Sequence, residues 1–348
     1  TVHAYGVKVE LYSYGMNGKI PLSSKSGTNM SIMQEAMQNS IRTGIINSGT
    51  IVEPGTGVFV SSNESRGNEE AIAKQIIESG VDLIFSGGEE VLLPEGISGK
   101  FGIGKRKDGL NLIELAEEMG YYVIYDKDGL FSEAIDADKI LGVFASRHTF
   151  NDMSEEELLE KGLLNYSATA PTLAEMTEFA TRFLSSKNNQ FFLVIEEEGT
   201  DNFGNANNAN GTFEALKRAD DAIGKVLEFM DDNPETLILT AADSEAGGLE
   251  VYGFLEKDMP RDEPLPDKSK NGAPQDGING TGTLPFVSGK DKNGNSFPFA
   301  ITWSTTDDVY GSVVAKAEGL NAELMKGKID NTDIYRIMYT TLFGKWLE

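Results

Sequence analysis

The sequence predicts an α/β fold, with a mostly parallel central sheet covered by helices on both faces and with surface insertions. Three observations favour this fold class. Helical segments alternate with short apolar runs along most of the 348 residues, as they do when crossover helices join parallel strands. The apolar runs are nearly continuous, which is typical of strands buried on both faces. No linker separates two halves, so we expect a single domain over residues 1–348.

The first half of the chain contains most of the clear alternation. Thr28 and Ser31 precede an apolar-periodic stretch and predict a capped helix that Gly44 ends. The other elements predicted here are a strand at Val7–Leu11, a helix at Asn68–Ser79, a strand at Val81–Phe85, a helix at Leu110–Met119 and a strand at Tyr121–Tyr125. Between the first two helices, short apolar stretches at 45–47 and 50–52 precede a turn at Glu53.

The second half continues the pattern around two expected insertions. Residues 126–170 form the first, a peripheral excursion with an acidic helix at Ser154–Lys161. Residues 252–296, rich in Pro, Gly, Asp, Asn and Lys, form the second. The elements predicted outside them are helices at Thr172–Leu184, Thr212–Met230 and Asp333–Phe343, and strands at Phe191–Ile195, Thr236–Leu239 and Phe297–Trp303.

The composition excludes several classes of function. Thirty Lys and Arg residues against 55 Asp and Glu residues give a net charge of −25, which repels nucleic acid and anionic membranes. Without cysteine there are no disulfides, thiolate zinc sites or cysteine nucleophiles. His3 and His148 are the only histidines, so no site of three imidazoles can form, and we expect both at the surface. No apolar run approaches the ~20 residues of a membrane span.

Acidic segments follow two of the predicted strands. The run FFLVIEEEGTD places Glu196 and Asp201 after one strand, and LILTAADSE places Asp243 after another. Ligands of open α/β sheets bind at the carboxyl ends of the strands. Consecutive carboxylates leaving a buried strand repel one another unless a cation lies among them, and a hard divalent cation with oxygen ligands supplies that charge. The alternative is a solvated acidic loop.

Four segments together resemble alkaline phosphatases in their order and spacing. They are TLAEMTEFA from Thr172, FFLVIEEEGTDNFGNANN from Phe191, DAIGKVLEF from Asp221 and TAADSEAGG from Thr240. The resemblance implies a phosphomonoester hydrolase of the same α/β fold. It also implies two metal ions beside a phosphoserine and a third in a magnesium site.

The resemblance assigns roles to particular residues. Glu196 matches the family's magnesium-site glutamate, and Glu53 and Gly55 fall where the family places the Asp or His and the Thr of that magnesium shell. Asp201 matches the aspartate at one zinc, and Asp243 the aspartate at the other. Arg66 matches the arginine that grips the substrate phosphate, for which a bidentate guanidinium is well suited.

Three positions depart from the family together. Where the family carries its zinc-binding histidines, this chain has Asn205, Ser244 and Asp308. All three replacements are oxygen donors, so we expect a site for Mg, Ca or Mn, with Zn as the alternative. Glu197, Glu198 and Asn202 are near enough in sequence to act as additional ligands.

The nucleophile implied by the resemblance is not in this sequence. The family's nucleophilic serine lies a short way before the glycine that matches Gly6, and counting back passes Thr1. The family's first strand and its metal-binding aspartate are missing as well. We therefore expect a fragment of a longer protein whose serine lies upstream, acting on small phosphate esters.

Other readings remain open at this point. They are a cation- or phosphate-binding pseudoenzyme, a phosphodiesterase of the same superfamily, and a cofactor-independent mutase, which would need several His and Lys at its metals. The resemblance also implies a periplasmic or secreted protein that forms a homodimer.

Overall fold

The structure is a computed structural model that describes residues 1–131, 137–187, 190–253, 257 and 260–348. Parts of both predicted insertions, 132–136 in the first and 254–256 and 258–259 in the second, therefore lie outside the described residues. In the described part of the chain, no helix is long and apolar enough to cross a membrane.

The helices range from single turns to a 24-residue helix. They are α1 (Val2–Tyr5), α2 (Ile32–Gln38), α3 (Pro54–Gly57), α4 (Glu69–Glu78), α5 (Glu89–Leu92), α6 (Leu112–Glu118), α7 (Lys127–Leu130), α8 (Glu155–Lys161), α9 (Leu173–Lys187), α10 (Gly199–Asn205), α11 (Ala209–Asp232) and α12 (Asn331–Phe343). Ser31 caps α2 in a reciprocal capping box with Gln34, and Asp330 does the same for α12 with Asp333.

The strands fall into one parallel sheet and several antiparallel ladders. They are β1 (Met16–Asn17), β2 (Ile20–Pro21), β3 (Arg42–Thr50), β4 (Leu83–Gly87), β5 (Tyr121–Ile124), β6 (Lys139–Val143), β7 (Phe191–Glu196), β8 (Leu237–Ala241), β9 (Glu245–Ala246), β10 (Leu249–Gly253), β11 (Gln275–Gly277), β12 (Gly280–Thr281), β13 (Phe286–Val287), β14 (Pro298–Trp303), β15 (Asp308–Val309) and β16 (Ala315–Gly319).

The central sheet has the strand order β5-β6-β4-β3-β7, and all of its pairings are parallel. Successive residues of β4 point to opposite faces: Ile84 packs in a core with α4 and α6, while Leu83 and Phe85 pack in a second core with α9. Helices thus cover both faces, and the predicted fold class is confirmed. The carboxyl ends of the parallel strands share one edge, and this edge carries the acidic turn after β7.

Several predicted elements are wrong, for identifiable reasons. Residues Val7–Leu11 form no strand: the segment lies between the short helix α1 and a turn at residues 11–12 and pairs with no other strand among the described residues. Gly44 does not end a helix: α2 ends at Gln38, and Gly44 lies inside the nine-residue strand β3. There a Cβ would come within 2.9 Å of the Leu193 side chain, so this glycine serves close packing between neighbouring strands.

The two predicted insertions have more structure than we expected. The segment 126–170 contains β6 (Lys139–Val143), which lies between β5 and β4, so its description as peripheral is wrong for those residues. The second segment contributes β11, β12 and β13 to an antiparallel sheet with β10 and β14. Within it Gln275 and Asp276 are buried, and Trp303 Nε1 donates to Asp276 Oδ2 at 2.6 Å.

Strands β7 and β8 are each paired on one side only, as far as the described residues extend. In the central sheet β7 pairs with β3, and β8 pairs antiparallel with β16 in a separate ladder. Two strand edges of this kind are what a sheet lacking a strand between them would leave. The expectation of a first strand upstream of Thr1 stays a prediction.

Candidate functional site

Glu196 is the last residue of β7 and leads into the acidic turn; its carboxyl group is enclosed by protein although part of its side chain is exposed. Asn47, its partner in the register of β3 and β7, donates a hydrogen bond to Glu196 Oε2. A Cβ at Gly55 would come within 1.4 Å of Glu196 Oε1, so only glycine leaves room for this carboxyl group. Burial, and then the carboxylates of Glu53 and Asp243, raise the pKa of Glu196 to about 8.

The next two glutamates have different surroundings. Ser48 Oγ and Tyr166 Oη donate to Glu197 Oε1 at 2.6 and 2.8 Å, and the N–H of Gly199 donates to the same oxygen at 3.1 Å. These bonds tie the turn to β3 and to the loop that carries Tyr166. Glu198 instead lines a cavity, and burial together with the neighbouring carboxylates raises its pKa well above the ordinary value.

Helix α10 and the β15–β9 ladder bring three of the predicted ligands together. Asp201 and Asn205 lie one turn apart on α10, and Asp308 pairs with Ala246 in the ladder. Asn205 Nδ2 lies 3.4 Å from both carboxylate oxygens of Asp201 and donates to Asp308 Oδ1 at 3.1 Å. The N–H of Gly247 donates to Asn205 Oδ1 at 3.1 Å. Burial and then the nearby Asp308 carboxylate raise the pKa of Asp201 to about 7.

Asp243 and Ser244 follow β8 at the same edge. Asp243 is exposed and Ser244 is half-buried. His3 is half-buried, and burial lowers the pKa of its imidazole to about 4 while the Asp243 carboxylate opposes this effect. The expectation that His3 is an ordinary surface residue is therefore wrong. The backbone nitrogen of Thr1 lies in the same region as Asp243 and Glu196.

Arg66 lies beside the magnesium-shell candidate Glu53. Its Nη2 is 4.0 Å from Glu53 Oε2, and its guanidinium lies 5.8 Å from the centre of the Tyr12 ring. The Arg66 side chain is about half exposed, at 49%, while that of Glu53 is 12% exposed. Burial raises the pKa of Glu53, and Arg66 and Arg147 oppose this effect. An exposed guanidinium held near an enclosed carboxylate is available to an anionic ligand.

Several of these groups line one cavity of about 450 Å³. Five of the predicted acidic or amide ligands are among its lining residues: Glu53, Glu198, Asp201, Asn202 and Asn205. We refer to Asn202 and the other five lining residues as the wall: Arg66, Arg147, His148, Asp152 and Ala206. Asp308 adjoins this cavity through its hydrogen bond with Asn205, but Glu196, Asp243, Ser244 and Asp308 are not among the residues that line it.

Three wall residues were not predicted to belong to the site. Arg147, His148 and Asp152 follow β6, the strand that the sequence analysis placed in a peripheral excursion. His148 is not an ordinary surface residue, because burial and the Arg147 charge lower its pKa to about 4. The apolar run from Ile140 to Phe144 is the signal that could have identified the strand and the loop after it.

The chemistry of the donor set fits a hard cation. Carboxylates at Glu53, Glu196 and Asp201 all have raised pKa values because they are buried near one another, and a divalent cation would relieve that repulsion. In the described ranges, however, no three carboxylates or imidazoles converge closely enough to hold a metal ion by themselves. A bound ion would therefore need amide or hydroxyl oxygens, or a rearrangement of these side chains.

Comparison with known proteins identifies one family. The sequence model of the alkaline phosphatase family matches residues 1–343. Alkaline phosphatase 4 of Bacillus subtilis is 24% identical, over 98% of this chain and 75% of its own length. The alkaline phosphatase of Escherichia coli is 26% identical, over 51% of this chain and 39% of its own length.

Solved structures agree in fold. A mutant alkaline phosphatase from the Antarctic bacterium TAB5 superposes with a TM-score of 0.70 and 22% identity, covering 100% of this chain and 83% of its own. In that mutant a glutamate replaces a histidine, and magnesium is bound in a site called M3. The alkaline phosphatase of Thermus thermophilus gives a TM-score of 0.72 at 20% identity, covering 99% of this chain and 78% of its own.

Proposed function

Because the chain belongs to the alkaline phosphatase family, we propose that it is the body of a metal-dependent phosphomonoester hydrolase whose metal ions are bound by oxygen. One observation carries the proposal. The arginine for phosphate and the acidic residues of the turn after β7 share a single cavity of about 450 Å³. An anionic ester would need both features: a guanidinium for the phosphate oxygens and cations to offset the carboxylates.

Three groups of residues would hold the cations. Asp201, Asn205 and Asp308 would bind one, Asp243 and Ser244 a second, and Glu53 and Glu196 a third. When bound, such ions supply charge for the attacking and leaving oxygens of an in-line phosphoryl transfer. Support for the first group is its hydrogen-bonded contact.

Asn205 would have to change its partners to act as a ligand. Its Oδ1 accepts from the N–H of Gly247 while its Nδ2 faces the carboxylates of Asp201 and Asp308. In the present arrangement the amide partly offsets the repulsion between those two carboxylates. A cation would take over that role, and rotation of the amide would then direct Oδ1 towards it.

Arg66 would bind the phosphate oxygens of the substrate. Its guanidinium is half exposed at the cavity and contacts Glu53 only at 4.0 Å, so a stronger partner can displace that contact. Bidentate binding of a phosphate by arginine is about twice as strong as a neutral hydrogen bond. Arg66 would thus orient the ester next to the acidic groups.

The nucleophile would be a serine preceding Thr1. Thr1 occupies the position before α1, and its backbone nitrogen lies near Asp243 and Glu196. Residues before it would therefore start close to the acidic edge of the sheet, which is where a nucleophile is needed. A periplasmic or secreted location and a homodimeric state are further predictions of the same family assignment.

The test is a phosphatase assay on the complete protein, with Mg, Ca, Mn and Zn supplied separately. We expect turnover of a simple phosphate monoester with at least one of the three hard cations. Inactivity with all four metals, while a metal still binds, would instead favour a second candidate, a non-catalytic cation- or phosphate-binding protein. The observation that favours this second candidate is the lack of convergence among the described carboxylates.

A further inference from the structure

The wall of the cavity is polar, and its composition indicates what kind of alcohol the substrate phosphate is attached to. Among the described residues that line the cavity, Ala206 alone has an aliphatic side chain. An aryl or alkyl group placed there would gain little apolar contact. Hydroxyl groups, in contrast, would meet hydrogen-bonding partners in place of water.

Apart from Arg66, where the phosphate would bind, the wall has no unpaired positive charge. Arg147 lines the cavity, but Glu69 and Glu90 bind its guanidinium at 3.0 and 3.2 Å. Asp152 adds a carboxylate, whose Oδ2 accepts from Asn202 Nδ2 at 3.0 Å. A second anionic group on the substrate would therefore meet no surplus of positive charge at this wall.

The His148 side chain contributes an uncharged imidazole, held in place by packing, to the wall of the cavity. Its ring stacks on Phe150 at 4.9 Å and 15°, and Phe150 packs in a buried cluster with Tyr166 and Phe203. Burial keeps the pKa of His148 at about 4, so the ring is uncharged near neutral pH. It can exchange hydrogen bonds with a ligand without attracting an anion.

We propose that His148, Asp152 and Asn202 form a subsite for the hydroxyl groups of an uncharged polyhydroxylated alcohol, so that the preferred substrates are phosphate monoesters of polyols. The inference rests on the proposed function, because it places the phosphate at Arg66 in the same cavity. Asp152 is exposed and accepts at one oxygen from Asn202, which fixes the carboxylate while leaving it accessible to a ligand. A hydroxyl that donates to a carboxylate forms a charge-assisted hydrogen bond, which is the stronger kind.

Two phosphonates that differ only in their hydroxyl groups provide the test. Butyl phosphonate and dihydroxybutyl phosphonate are titrated calorimetrically into the complete magnesium-loaded protein, so that binding is measured without turnover. We expect the diol to bind about tenfold more tightly, which corresponds to about 1.4 kcal/mol. Asp152→Ala should remove that advantage and leave the affinity for butyl phosphonate unchanged.

Asp220→Ala is the matched control, since Asp220 is an exposed aspartate on α11 that does not line the cavity. It should keep the full preference for the diol. Equal affinity of the wild type for both phosphonates, or a preference that survives Asp152→Ala, would overturn the subsite. If neither phosphonate binds, the phosphate site fails and the subsite fails with it. If the predicted affinities are found but no monoester is hydrolysed, the subsite stands and the proposed catalysis fails.

Discussion

Replacing Gly55 by alanine should displace Glu196 and weaken magnesium binding. The new Cβ would lie 1.4 Å from Glu196 Oε1, 2.0 Å from its carboxyl carbon and 2.3 Å from Oε2. No adjustment of a few tenths of an ångström relieves such an overlap. The carboxyl group must therefore swing away and give up the hydrogen bond from Asn47.

The magnitude follows from the two parts of that change. Forcing a methyl group into a filled site costs roughly 1–3 kcal/mol of unfolding free energy. Displacing a group that binds or orients a metal lowers metal affinity by roughly 10–100-fold. We thus expect Gly55→Ala to lose about 1–3 kcal/mol of stability and most of the additional stability that magnesium confers on the wild type.

Urea denaturation with and without magnesium measures both effects. Gly224→Ala is the matched control, because Gly224 lies within α11 and a Cβ there meets no atom within 4 Å. That variant should gain roughly 0.5–1 kcal/mol from higher helix propensity and keep the full effect of magnesium. A Gly55→Ala protein that matches the wild type in both stability and magnesium response would refute the reasoning about Glu196.

Three further results are expected. Without metal, the protein should lose stability as pH rises from about 5 to 8. Burial raises the pKa of Glu196 from 4.5 to about 8 and that of Asp201 to about 7. The folded state accommodates these carboxyl groups while they are protonated, and they repel one another once they ionise. Thermal melts across that range should show the decline, Glu196→Gln should flatten it, and a flat wild-type profile would contradict the burial. Arg66→Ala should weaken inhibition by inorganic phosphate at least tenfold, and an unaltered inhibition constant would count against its role. Asp201→Ala or Asp243→Ala should abolish metal-dependent turnover in a phosphatase assay, and unchanged turnover would show that the site is misplaced.

The sequence predicted the sheet and its acidic edge where the local pattern was strong. The run before Glu196 is apolar and is followed by three carboxylates, so the sequence predicted both the position of the strand and the acidic group at its end. Asp201 and Asn205 lie one turn apart on α10, a helix that the sequence pattern did not predict, and the family resemblance alone had assigned both as metal ligands. Local sequence was sufficient for the strand and its acidic end, but not for this pairing.

Other parts of the site depend on distant segments. Asp308 lies 103 residues after Asn205, and only the family resemblance brought them together before the β15–β9 ladder was seen. Strand β3 was missed as one element, because Gly44, Asn47 and Gly49 interrupt its apolar pattern. Gly44 and Gly49 allow close packing, and Asn47 donates the hydrogen bond to Glu196. These contacts require small or polar residues, which interrupt the apolar pattern of the strand.

Metal analysis of the complete protein, purified without added metals, tests the central claim most directly. Oxygen donors at Asn205, Ser244 and Asp308 in place of histidine nitrogens predict bound magnesium, calcium or manganese and no stoichiometric zinc. The bound metal should be lost in Asp201→Ala and in Asp243→Ala. Stoichiometric zinc that disappears in those same variants would contradict the account, because the three positions where the family has histidine ligands carry oxygen donors here.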